Sequence, residues 1–96
     1  MLYAVYAHFK PGAEARRDEL HPEFNDHLMQ DALQIHLGGP LRNEEGGRTG
    51  ILMIIEAASV ELIERFVASS PYTKAGLYES LRIDRFDPEV GWIPRA

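Results

Sequence analysis

Leu2-Tyr3-Ala4-Val5-Tyr6-Ala7-His8-Phe9 is apolar or aromatic on both of its alternating sets, Leu2, Ala4 and Tyr6 on one and Tyr3, Val5 and Ala7 on the other. Successive side chains of a strand point to opposite faces, so such a segment needs cover on both sides. The spacing predicts a central strand, ended by the turn signal Lys10-Pro11-Gly12. Ile51 to Ala57 has the same character and predicts a second central strand.

The segments around these two strands are of different kinds. Ala13 to about Ala32 reads as helix, with Leu20, Phe24 and Leu28 stacked at a spacing of four. Pro22 lacks an amide hydrogen and clashes with the preceding turn, which predicts a kink or a helix restarting there. Leu33 to Leu37 alternates, with Leu33, Ile35 and Leu37 on one face and Gln34 and His36 on the other. It reads as a half-buried strand ended by Gly38-Gly39-Pro40. Leu41 to Gly50, with Asn43, Gly46 and Gly47, reads as a hairpin loop. Ser59 is placed to cap a helix over Val60 to Ser69, whose apolar face is Leu62, Ile63, Phe66 and Val67. Ser70-Pro71 predicts a short further helix that Gly76 terminates. Leu77 to Phe86 is the last strand, with Leu81 and Ile83 inward. In the tail from Asp87 to Ala96, Val90, Trp92 and Ile93 suggest packing.

The order is strand, helix, strand, strand, helix, strand within one domain over residues 1–96. With right-handed crossovers this is an α+β fold, a ferredoxin-like βαββαβ antiparallel sheet with both helices on one face. The first and third strands are then central and the second and fourth are edges. Helices cover one sheet face only, so the other is an apolar patch unless a second subunit closes it. A homodimer packed sheet to sheet is the expectation.

Composition narrows the function. The 96 residues are 45% hydrophobic and 26% charged, with a formal net charge of −5. No Lys/Arg cluster exceeds Arg16-Arg17, which argues against a nucleic-acid surface and against an anionic membrane. The absence of cysteine excludes disulfides and thiolate chemistry. The apolar N-terminal stretch has no basic flank or small-residue cleavage site, and no run is long enough to span a bilayer, so a cytoplasmic protein is expected.

Chemistry falls to the four histidines. His27 lies at the edge of the helical stripe with Asp31 one turn on. An imidazole there suits a general acid or base, or else is a border histidine packed at the helix–sheet seam. His8 ends the first strand and is expected to face the same cleft. His36 is placed on the polar side of its strand or in a dimer interface, and His21, before Pro22, is expected to be exposed at the kink. No three ligands stand at metal-site spacing, and neither glycine pair forms a phosphate loop, so neither metal nor cofactor is expected. Ser70 reads as a helix cap rather than a nucleophile. Tyr72 is placed to give its hydroxyl to a pocket, and Tyr3, Tyr6, Tyr78 and Phe86 are either cavity lining or core.

MLYAVYAHFKPG, LGGPLRNEEGGRTGILMIIEA and SPYTKAGLYESLRI together resemble the YCII-related family of small bacterial proteins, over roughly residues 1–86. The resemblance implies a dimeric α+β barrel of ferredoxin-like subunits. It also implies a site built on a His and Asp pair, in a family where a few relatives are associated with dehydrochlorination of chlorinated aromatic metabolites. Three positions depart from the family pattern. Phe24 stands where Arg-Pro-x-His would end, Ser70 replaces the acid of Asp-Pro-Tyr, and Phe9 replaces the Asp of His-Asp-Lys-Pro-Gly. The expectation is proton transfer of isomerase or lyase type without cofactor by His27 with His8, on a small aromatic or acidic metabolite. Phe24, His36, Ser70 and Tyr72 are expected to bind it. The alternative is a small-ligand-binding or accessory domain without catalysis, which the replaced titratable groups favour.

Overall fold

The structure, a computed structural model, describes residues 1–29 and 33–91. Its elements run β1 (Leu2–Phe9), α1 (Glu14–Leu28), β2 (Gln34–Arg42), β3 (Arg48–Glu56), α2 (Val60–Ala68), α3 (Pro71–Lys74) and β4 (Tyr78–Arg85). The sheet order is β2-β3-β1-β4, with every neighbouring pair antiparallel. The two strands that are apolar on both faces are therefore the central ones, as their composition requires.

Register decides which set lies beneath the helices. Tyr3 opposes Ile55, Val5 opposes Met53 and Ile83, and Ala7 opposes Ile51 and Leu81. Directly opposed residues share a sheet face. On this face Tyr3, Val5, Met53 and Ile55 form a core with Ile63, Phe66 and Val67 of α2. A second cluster, Ala13, Leu20, Phe24, Tyr72 and Leu77, joins α1 to α3. The opposite face carries Leu2, Ala4, Tyr6 and His8 of β1, with Glu56, Ile54 and Leu52 of β3 beside them. Leu2 and Ile54 are buried there, Ala4, Tyr6 and Leu52 are half-buried, and Leu37 is 45% exposed.

Several features differ from the sequence expectation. Pro22 neither splits nor ends α1, which runs as one helix with Pro22 inside it. β2 does not stop at Gly38-Gly39-Pro40, which pair with Met53, Leu52 and Ile51. β2 is an edge strand, where a missing proline donor is tolerated. A register shift between Ile35 and Leu37 also breaks the simple alternation, so Leu37 stands opposite Ile54 on the open face. Ser59 and Ser70 occupy N-cap positions, but neither side chain makes a capping bond. In the tail, Val90 is 92% exposed instead of packed, and Trp92 and Ile93 lie outside the described residues. As expected, α3 begins at Pro71 and is closed by Gly76 at φ +70°, the left-handed region glycine enters freely.

Candidate active site between α1 and the sheet

A cavity of about 400 Å³ lies under α1, walled on the sheet side by Ile35, Gly38, Ile51 and Met53. α1 turns Arg17, His21, Phe24, Asn25 and Leu28 towards it. Their spacing of four, three, one and three residues traces one face of a helix. Gly38 leaves room on the far wall, since a methyl there would press on the Met53 side chain at 3.1 Å.

Chemistry converges at one end. The His21 Nδ1 stands 3.3 Å from the Tyr72 hydroxyl. Tyr72 is only 2% exposed, and its ring stacks on Phe24 with centroids 4.3 Å apart and meets Phe9 edge-on at 5.4 Å. Burial pushes the Tyr72 phenol above its ordinary proton affinity, against the pull of the Arg17 and Arg48 guanidinium groups. The phenol therefore stays protonated at neutral pH and keeps a proton to donate. When His21 gives its Nδ1–H to the Tyr72 oxygen, Nε2 retains the lone pair a base needs. Tyr78 lies behind this pair, and burial raises its phenol further still.

The other sequence candidates are dispersed. His27 is buried but lies outside the cavity wall. Its ring stacks on Phe66 at 4.4 Å, and its Nε2 donates to the Phe66 carbonyl at 2.7 Å. Spacing put His27 at the edge of the apolar stripe, and that edge faces α2. The proposed Asp31 partner lies outside the described residues. His8 does not face the same cleft as His27: it is exposed on the open sheet face, 3.5 Å from Ser80 Oγ. The alternation of β1 forces this, because Ala7 takes the helix side. His36 does not reach the cavity either. Its Nε2 meets Glu56 Oε1 at 3.0 Å, and Glu56 also lies 3.5 Å from the N-terminal ammonium. Ser70 is buried against a small core void beside Val67 and Tyr78. Its hydroxyl is near enough to Tyr78 to favour the phenolate slightly, yet has no partner at hydrogen-bonding geometry. Of the expected set, Phe24 and Tyr72 reach the cavity.

His21, Arg17, Asn25 and Arg48 are the cavity residues sequence reasoning passed over. The available signal was the run 17, 21, 24, 25, 28, a mixed polar and apolar face offset from the Leu20–Phe24–Leu28 stripe. Among the described residues, no three His, Asp or Glu side chains gather as a metal site would. Among them too, no helix is long and apolar enough to cross a membrane.

The YCII-related domain matches residues 1–87. Protein YciI of Escherichia coli O6:H1 is 30% identical over 94 residues, covering 90% of this chain and 96% of that protein. Among solved structures, 5-chloro-2-hydroxyhydroquinone dehydrochlorinase from Burkholderia phenoliruptrix AC1100, in complex with 2,5-dihydroxybenzoquinone, superposes with a TM-score of 0.83. It is 30% identical, with 91% of this chain and 94% of that chain covered. A NIPSNAP domain protein from Burkholderia xenovorans has a TM-score of 0.55 at 12% identity, covering 99% of this chain and 100% of that one, and shares the fold alone. Such neighbours are of the dimeric α+β barrel type. With its ferredoxin-like sheet, one-sided helices and a match over nearly the whole length, the chain belongs to the YCII-related domain family.

Proposed function

We propose that this is a cytoplasmic, homodimeric enzyme that moves a proton on a small ring-bearing metabolite without a cofactor, in isomerisation or elimination. The observation that carries it is the His21–Tyr72 pair at the end of an apolar cavity. His21 Nε2 takes a proton from an acidic C–H next to a carbonyl. The electron pair moves onto the carbonyl oxygen, and the Tyr72 hydroxyl donates to that oxygen as it becomes an enolate. The imidazolium then returns its proton to another carbon, which is isomerisation. In elimination from a hydroxylated ring, a keto tautomer makes the carbon bearing the leaving group tetrahedral. His21 Nε2 takes the proton of a conjugated ring hydroxyl, the electron pair passes through the ring to expel the leaving anion, and the imidazolium releases its proton to solvent. The positive charges of Arg17 and Arg48, which already act on the Tyr72 phenol, favour the enolate as well.

The 30% identity to a dehydrochlorinase bound to a dihydroxybenzoquinone supports a hydroxylated six-membered ring as substrate class. The test is chloride release from 5-chloro-2-hydroxyhydroquinone by the wild-type protein, His21→Asn and His27→Gln. Turnover is expected in the wild type and His27→Gln, with a loss of about 10²-fold or more in His21→Asn, the usual contribution of a general base. Full activity in His21→Asn contradicts the assignment.

A ligand-binding domain without turnover is the second reading. It is favoured by one observation: among the described residues, no carboxylate is hydrogen-bonded to His21 to orient it. Ring ligands that bind in the cavity and are never converted would select it.

A further inference from the structure

Positive charge gathers at one side of the cavity although the chain as a whole carries a net charge of −5. Beyond Arg17 and Arg48 lies a second recess of about 150 Å³, which shares Phe9, Arg17 and Arg48 with the main cavity. Its remaining walls include Lys10 and Glu14, so three cations face one carboxylate there.

Arg17 is held in place. Its side chain is 14% exposed, its guanidinium lies 5.7 Å from the centroid of the Phe9 ring, and one nitrogen donates to the Arg48 carbonyl at 3.1 Å. Its ion pair is with Asp18 at 3.1 Å, a carboxylate 72% exposed and therefore well solvated. The Arg48 guanidinium has no ion-pair partner among the described residues. A guanidinium fork fixed by an aromatic face and a backbone carbonyl, with a second arginine lining the same recess, is the chemistry that recognises a planar anion.

Resting on the cavity as the ligand site, we infer that the preferred substrate is a ring carboxylate, with its ring beside His21 and Tyr72 and its carboxylate between Arg17 and Arg48. The recess then takes the substituent that carries the charge. The apolar walls under Phe24, Ile51 and Met53 take the ring, so one molecule spans both spaces.

The experiment is a calorimetric and NMR titration of the full chain with 3-hydroxybenzoate and with 3-hydroxybenzyl alcohol, its uncharged counterpart. Wild type and Arg48→Met are compared; Arg48 is exposed, so the variant is expected to keep its fold. The wild type is expected to bind the carboxylate about tenfold or more tightly than the alcohol, the worth of a charge-assisted contact, and Arg48→Met to bring the two within about twofold. Raised salt weakens the carboxylate alone. Equal wild-type affinities, with both ligands shifting the His21 resonances, overturn the carboxylate subsite and leave the cavity as the ligand site. Equal weakening of both ligands in Arg48→Met does the same. Failure of both ligands to bind overturns subsite and cavity together.

Discussion

Burial holds the Tyr72 proton above the ordinary phenol range, which the proposed donor role requires, and Tyr78 shares that condition more strongly. A raised folded-state affinity means the native protein binds the proton more tightly than the unfolded chain. The stabilisation is fully present below about pH 10 and is lost as pH rises above it. Urea unfolding between pH 8 and 11 is expected to show stability falling on the alkaline side, with a flatter fall in Tyr78→Phe; an unchanged slope contradicts the assignment. Removing the Tyr72 hydroxyl in Tyr72→Phe is expected to cost about 10²-fold in turnover, as losing one oxyanion donor does. His27 makes the contrasting case. Its bond to the Phe66 carbonyl and its stacking on Phe66 give it a structural role. His27→Ala is expected to lose about 2–4 kcal/mol in chemical denaturation, mostly from a core void and in part from the lost bond to the Phe66 carbonyl, which keeps the Ser69 hydroxyl as donor. Ring-ligand affinity in the folded fraction is expected to stay unchanged. At this scale the sequence was a poor guide. Phe24 stands where the family histidine is expected, and the sequence reading turns to His27 and takes His21 as exposed at the kink. Packing against α2 holds His27 on Phe66, while His21, one turn before Phe24, lines the cavity.

α1 carries two functions on adjacent faces. Leu20 and Phe24 hold it to α3 and the following strand, while Arg17, His21, Asn25 and Leu28 line the cavity. Pro22 is exposed within it and costs the helix one backbone bond without ending it. The central strands were legible because two-faced apolarity has one structural meaning. β2 was cut short because Gly38-Gly39-Pro40 is a stop signal in isolation, and only its place at the sheet edge makes it compatible with a strand. Glycine also sets how closely β1 and β3 approach. A methyl on Gly50 would overlap the Ala7 carbonyl oxygen. Gly50→Ala is expected to destabilise by about 3 kcal/mol, the scale of overpacking in a rigid site, measured by thermal and urea unfolding. A variant within 0.5 kcal/mol of wild type, on the order of an ordinary surface change, contradicts that close contact.

The whole molecule presents two unlike sheet faces. The covered face holds the core and the cavity; the open face offers Ala4, Tyr6, Leu37 and Leu52 around the Arg82–Tyr6 contact, where the guanidinium lies 5.8 Å from the ring centroid. A second copy closing that face is expected to give a solution mass twice the 10.9 kDa of the chain by light scattering. Tyr6→Asp, which places a charge in the middle of the patch, is expected to halve it; a monomeric wild type contradicts the dimer. The histidines divide between these faces, His21 at the cavity, His27 beneath α2, and His8 and His36 on the open side. The imidazole ¹H–¹⁵N correlations of the four, followed during titration with 3-hydroxybenzoate, therefore report where a ring ligand binds. His21 is expected to shift while His8, His27 and His36 hold still; a shift at His8 or His27 with His21 unmoved contradicts the site.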